Sequence, residues 1–196
     1  MQKEIERRIN DQSNGNEIKL NGKIRLDIDK SGTFTVGKLC VKGIITVTRS
    51  NVVINGGDAE IEVNVSDCTS SDWSLFFVHP SAKNVRFENL NVKIAIKNPR
   101  HCTRTFSCIY NASYGLSVSN CRIEIISYKQ INAVGIYNNG NLDTSLETRA
   151  DNLVVSGCSV RAECFAEEFE NECAVYGIYN YLANSISVQN TFIYAT

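Results

Sequence analysis

Apolar and polar residues alternate along this chain in short bursts, and the bursts recur. Five segments lie over one another: NVVINGGDAEIEV from Asn51, NVRFENLNVKIAI from Asn84, GLSVSNCRIEIIS from Gly115, NLVVSGCSVRAEC from Asn152 and SISVQNTFIYAT from Ser185. Their first apolar residues, Val52, Val85, Leu116, Leu153 and Ile186, are separated by 33, 31, 37 and 33 residues. A second apolar column holds Ile54, Phe87, Val118, Val155 and Val188. A third holds Ala59, Val92, Ile123, Val160 and Ile193, and a fourth Ile61, Ile94, Ile125, Ala162 and Ala195. Apolar positions two apart mark strands with one buried face. Between the pairs of columns stand Gly56, Asn89, Asn120, Gly157 and Asn190. Gly and Asn tolerate left-handed backbone, so a tight corner is predicted in every repeat.

A third strand per repeat comes from a recurring tetrapeptide. GIYN occupies Gly135–Asn138 and Gly177–Asn180, and CIYN occupies Cys108–Asn111. Phe77, Ile109, Ile136 and Ile178 align as its inward residues, with Ile45 or Val47 in the first coil. Three short strands per repeat, with one tight and two variable corners, predict an all-β fold. It is a single-stranded, right-handed parallel β-helix of about five coils. Like residues then stack from coil to coil at about 4.8 Å. In the start, KEIERRI, Ile5 and Ile9 share one helical face, which predicts a short N-terminal capping helix. The expected organisation is one domain over 1–196, with the cap in 1–16, lead-in strands in 17–50 and repeating coils from 51 onward.

The helix, the Gly/Asn turn, the strand pair and then SNVVINGG resemble the N-terminal start of the pectate-lyase-like β-helix superfamily. The likeness covers nearly the whole chain as architecture. That superfamily spans polysaccharide lyases, hydrolases, viral tail spikes and non-catalytic solenoids, so it implies fold more than activity. It also implies that sugar chains lie along the tetrapeptide strand and its flanking corner. Calcium as a cofactor enters only through this resemblance.

Candidate chemistry follows from that geometry. If Ile109, Ile136 and Ile178 face inward, Tyr110, Tyr137 and Tyr179 face outward in one row with Val78 at its edge. Flat rings with polar tips suit sugar faces, yet stacked tyrosines equally well stabilise a strand ladder by cross-strand packing. Asn111, Asn138 and Asn180, with His79 in the same column, end the strand. The expected role of the Asn residues is structural, a ladder of side-chain hydrogen bonds, joined by Asn89, Asn120 and Asn190 at the tight corner, whereas His79 breaks the row and is counted with the tyrosines as a candidate ligand contact. Insertions at Asn64–Ser74, Lys97–Thr105, Tyr128–Asn132 and Phe165–Cys173 flank one side of the stack, and Asn139–Asp151 the other. A groove between them would carry Trp73, the single Trp, in a polar loop, together with Arg100, His101 and Arg104.

Composition narrows the choices. Lys+Arg 20 against Asp+Glu 21 gives a formal charge of −1, which supplies no drive toward nucleic acid. No apolar run reaches the roughly 18 residues of a membrane span. The charged start has no signal-peptide core. That leaves an intracellular or virion protein, or a secreted one whose leader is absent. Eight Cys, with no CxxC and no zinc spacing, favour free thiols over a disulfide framework. Cys121 and Cys158 fall in one inward column, within disulfide reach or as stacked reduced thiols.

No catalytic signature is present. The NTD, DD, GHG and RIK motifs of polygalacturonase-type enzymes of this fold are all missing, and the tetrapeptide strand carries no acid. The final segment stops at Ala195–Thr196 inside a strand, leaving unpaired edges for further residues or another chain to cover. Three functions follow as expectations. The leading one is a glycan-binding module; the second is an assembly solenoid that docks a partner or a second copy without catalysis. The third is an enzyme, a polysaccharide lyase or glycoside hydrolase, with catalytic coils beyond Thr196.

Overall fold

The computed structural model describes residues 1–12, 17–28, 35–36, 41–65, 72–97, 105–128, 131–140, 150–165 and 174–196. Helix α1 (Gln2–Asn10) precedes a lead-in coil of β1 (Glu17–Lys19), β2 (Lys23–Ile28), β3 (Thr35–Val36) and β4 (Val41–Val47). The first full turn is β5 (Val53–Asn55), β6 (Glu60–Val65) and β7 (Asp72–Val78). The second is β8 (Arg86–Glu88), β9 (Asn91–Ile96) and β10 (Thr105–Asn111). The third is β11 (Ser117–Ser119), β12 (Arg122–Ser127) and β13 (Asn132–Asn139), and the fourth is β14 (Leu153–Ser156), β15 (Ser159–Cys164) and β16 (Val175–Tyr181). A terminal coil of β17 (Ile186–Gln189) and β18 (Phe192–Ala195) follows.

Each strand pairs with its counterpart one coil away, giving three sheets. Sheet 1 runs β1-β5-β8-β11-β14-β17, sheet 2 runs β2-β6-β9-β12-β15-β18, and sheet 3 runs β3-β4-β7-β10-β13-β16. All pairs are parallel except the β3–β4 hairpin. The chain is therefore a parallel β-solenoid, as the columns predict, with about four turns rather than the five coils expected. Among the described residues, no helix is long and apolar enough to cross a membrane.

The columns meet in space. Leu153 pairs with Ile186, and Val118 pairs with Phe87 and Val155. Phe87, Val118, Leu153 and Val155 belong to one continuous core running from Ile5 to Ala162. The Asn corners also follow the pattern: Asn89, Asn120, Gly157 and Asn190 have φ of 56, 52, 62 and 48°. A second repeated corner was missed. Asn51, Asn84, Asn152 and Ser185 are also left-handed, at 57, 55, 60 and 58°, as is Gly115 at 77°. One of the two corners read as variable in length thus always closes on the same backbone conformation.

Three register assignments are corrected. In the first turn the corner is two residues longer, because Gly57 (φ 55°) takes the left-handed position in place of Gly56. Ile61 then pairs with Val92 and Val63 with Ile94, so Ala59 lies outside the column. In LFFV every residue is apolar, so alternation could not set the register. Phe76, not Phe77, pairs with Ile109; Phe77 pairs with Tyr110, and Val78 with Asn111.

The sheet 3 strands also bend once per coil. The ladder joins Ser107 to Val134 and Ile109 to Ile136, skipping Cys108 and Gly135. Two consecutive residues face the core at this bend: Ile44 and Ile45, Leu75 and Phe76, Cys108 and Ile109. This explains the Gly that opens GIYN. A Cβ on Gly135 would lie 2.3 Å from Val160 Cγ1, and one on Gly177 would lie 2.2 Å from Ile193 Cγ2.

The N-terminal end is closed by α1. Ile5 and Ile9 enter the core, while Gln2, Glu6 and Asn10 form an i, i+4, i+8 stripe facing the edge of β4 beyond its pairing with β3. Gln2 Nε2 donates to Ile44 O at 2.6 Å and Asn10 Nδ2 to Thr46 O at 2.7 Å. The amides of Thr46 and Thr48 donate to Glu6 Oε1 at 3.0 Å and Asn10 Oδ1 at 2.8 Å. Side chains thus satisfy the backbone groups that a preceding coil would otherwise meet.

Candidate functional site

The outer face of sheet 3 carries the predicted aromatic row. Thr46, Phe77, Tyr110, Tyr137 and Tyr179 are successive register partners. Ring centroids step 5.8, 4.7 and 5.0 Å from Phe77 to Tyr179. The row is not an open platform over its length. Phe77 and Tyr110 are each only 2% exposed and form a buried cluster of their own with Ala112, against which Tyr137 packs. The Tyr110 hydroxyl accepts a hydrogen bond from Asn139 Nδ2 at 2.6 Å. Burial pushes the Tyr110 phenol well above its usual range and Tyr137 up to about 12.

Tyr179, at the C-terminal end, is half-buried, but its ring faces are engaged. It stacks on Tyr176 at 4.6 Å with 28° between planes, and on Tyr181 at 6.2 Å with 22°. The aromatic contacts of Tyr179 are thus made within the cluster, with Tyr176 and Tyr181 each 39% exposed at its rim.

Asn111, Asn138 and Asn180 form a hydrogen-bonded ladder inside the adjoining corner. Asn111 Nδ2 donates to Asn138 Oδ1 and Asn138 Nδ2 to Asn180 Oδ1, each at 2.7 Å. The same amides also close the corner loops onto Ser113 O, Ala150 O and Ala183 O at 2.7, 2.7 and 3.0 Å. At the tight corner, Asn89 Nδ2 donates to Asn55 Oδ1 at 3.1 Å. Asn120 and Asn190 serve there as left-handed residues.

His79 is moved by the corrected register. It lies one residue past the Asn column, which Val78 occupies in its coil, and its equivalent in the next coil is Ala112. Its Nδ1 lies 2.8 Å from Ser81 Oγ and accepts the Ser81 amide at 3.2 Å. That bond leaves the ring proton on Nε2, and burial lowers its pKa below the ordinary value.

Trp73 is also corrected. It stands in β7, paired with Phe106 and only 1% exposed, as part of the core rather than a polar loop. The polar run before it disguised an inward strand position. Arg100, His101 and Arg104 lie outside the described residues, as do Cys40, Cys68, Cys102 and Cys173 and the 141–149 stretch. Tyr110, Tyr137 and Tyr179 are brought together; Trp73 and His79 do not join them on an open surface.

Two surfaces lay outside the predicted set. On the outer face of sheet 2, Arg25, Glu62, Lys93, Glu124 and Arg161 are successive register partners, so charge alternates along the column. A depression of about 410 Å³ opens among Glu62, Lys93, Lys97 and Glu124. Its charges offset one another, and no convergent set marks a ligand. Among the described residues, no group of three His, Cys, Asp or Glu side chains could hold a metal ion.

The other surface is the terminal coil. Ile186, Val188 and Ile193 continue the inward columns, yet are 42, 43 and 44% exposed. On the outward side, Phe192 is 64% exposed and Tyr194 is 42% exposed. From Cys173 to Thr196 the chain contains no Asp, Glu, Lys, Arg or His. That charge-free run is the sequence signal that could have marked the surface. Where earlier coils place Glu60 and Arg122 or Glu62 and Lys93, this coil places Phe192 and Tyr194.

Comparison of the chain with protein-family models, with curated proteins and with solved structures finds no match.

Proposed function

We propose that this β-solenoid is an assembly module that pairs with a second copy through its terminal coil. The observation that carries the reading is the open, uncharged coil of Ile186, Val188, Ile193, Phe192 and Tyr194. Solvent-facing edge strands are ordinarily protected by charges, Pro or a covering element, and α1 supplies such a cover at the other end. The terminal coil has none of these among the described residues. Fully burying a Val, Ile or Phe side chain is worth about 1.5–3 kcal/mol. An uncharged surface meets its own copy without like-charge repulsion. Because α1 blocks the opposite end, head-to-tail stacking is disfavoured. Identical ends meet about a two-fold axis and the assembly closes at a dimer. The reading assigns the chain no reaction.

Light scattering on eluted wild-type protein and on Val188→Arg tests this. The wild type is expected at twice the chain mass, and the variant at the chain mass with an unchanged circular dichroism spectrum. A wild type that stays monomeric across the micromolar range refutes self-pairing. In that case a different layer, such as further coils of a longer chain, belongs on this surface.

A glycan platform on the tyrosine row has less support. Tyr110 is covered, and Tyr179 gives its faces to Tyr176 and Tyr181. The same ring contacts are what cross-strand packing of the row requires.

A further inference from the structure

Cys121 and Cys158 stand one coil apart, each immediately before its sheet 2 strand, and the next residues, Arg122 and Ser159, are register partners. Paired strands run about 4.8 Å apart, inside the Cα separation of about 4.4–6.8 Å that a disulfide spans. Both side chains point into the core and are free thiols. The Cys121 amide donates to Cys158 Sγ at 3.4 Å, while each thiol donates to a carbonyl two residues before it, Cys121 Sγ to Ser119 O at 3.2 Å and Cys158 Sγ to Ser156 O at 3.3 Å.

The hydrogen bond that each sulfur accepts at this corner is one that a hydroxyl also accepts. Leu90 N–H donates to Cys121 Sγ at 3.4 Å, and two coils further the Cys158 amide makes the same bond to Thr191 Oγ1, also at 3.4 Å. A hydroxyl therefore fills this column as well as a thiol does. The neighbouring Cys121 side chain, followed by backbone hydrogen bonds, pulls the Cys158 pKa down to about 7 against the burial that raises it; the same neighbour and burial raise Cys121. Cys108, buried without such partners, is held well above the ordinary thiol range.

We propose that Cys121 and Cys158 form a reversible oxidation site that a hydroperoxide converts into a disulfide joining the third and fourth turns. The Cys158 thiolate attacks the terminal peroxide oxygen. The O–O bond breaks, the sulfur becomes a sulfenic acid, and the departing oxygen takes a proton and leaves as water or alcohol. Cys121 then loses its proton and attacks that sulfur; the S–S bond forms, and hydroxide leaves with the proton as water. Two thiols and one hydroperoxide thus give one disulfide, one water, and one further water or alcohol. The bridge closes a loop across coils and constrains the unfolded chain.

The test treats folded wild-type protein with hydrogen peroxide, alkylates the remaining thiols in denaturant and maps peptides without reduction. A Cys121–Cys158 peptide lighter by two hydrogens is expected. It should be reversed by dithiothreitol and accompanied by a higher melting temperature. Cys121→Ser keeps an acceptor for Leu90, so it should fold, fail to cross-link and leave a dimedone-trappable sulfenic acid on Cys158. Full alkylation of both thiols after peroxide, or a cross-link that forms only in denaturant, overturns the proposal.

Discussion

Asn138 is the middle rung of the Asn ladder, and its removal gives the sharpest test of how the corner is held. Its side chain is fully buried. Oδ1 accepts from Asn111, and Nδ2 donates to both Asn180 Oδ1 and Ala150 O, all at 2.7 Å. Asn138→Ala removes three short bonds. Asn111 Nδ2 retains Ser113 O, but Ala150 O loses a donor in a buried site and Asn180 Oδ1 loses one in a partly buried site. A net hydrogen bond contributes about 1 kcal/mol, and a buried group left unpaired costs about 1–3 kcal/mol. The expected loss is therefore about 3–5 kcal/mol, a large share of the roughly 5–15 kcal/mol that holds a domain. Urea unfolding followed by tryptophan fluorescence measures it, since the single Trp, Trp73, lies in the core. A loss under about 1 kcal/mol would refute the ladder as a stabilising unit.

The isosteric Asn138→Asp sharpens the test. Burial facing Asn180 Oδ1 and Ala150 O favours the protonated acid, which raises its folded-state pKa above the unfolded value near 3.9. The folded state then binds the proton more tightly. The variant should be closest to wild type in acid and lose stability as pH rises from about 4 toward the raised folded pKa.

Other perturbations follow from the same geometry. Gly135→Ala places a Cβ 2.3 Å from Val160 Cγ1 and 2.5 Å from Gly177 O, neither of which can swing away. Overpacking of this kind costs about 1–3 kcal/mol, so thermal unfolding should shift down, and an unchanged midpoint would contradict the bend. For His79, burial lowers the folded pKa below the unfolded value near 6.5. As pH falls through 6.5 the unfolded chain binds the proton first, so stability declines toward the folded pKa and levels off beneath it. His79→Gln should flatten this part of a stability–pH profile; an identical profile would show that the decline arises elsewhere. Tyr110→Phe strips the acceptor of Asn139 Nδ2. About 1 kcal/mol of destabilisation is expected by denaturant unfolding, while no change would mean the bond contributes nothing.

The sequence by itself determined the solenoid, because a coil buries its apolar face only against equivalent residues of its neighbours. Such residues must recur in columns: Val52 to Ile186 and Ile54 to Val188 are readable as spacing alone. The corner at Asn89, Asn120 and Asn190 was legible for a similar reason, since few residue types accept left-handed backbone. Where the pattern lost contrast, only the tertiary structure decided. LFFV is apolar at every position, so the ladder and the bend at Leu75 placed Phe77 beside Tyr110. Two extra residues in one corner shifted Ile61 by a full period, which preserves alternation and therefore leaves no mark in it. Burial of Trp73 and Tyr110, and exposure of Ile193 in the same column as buried Val160, depend on what lies above and below each coil. A repeat states which face of a strand turns inward; how many layers cover that face is a property of the stack.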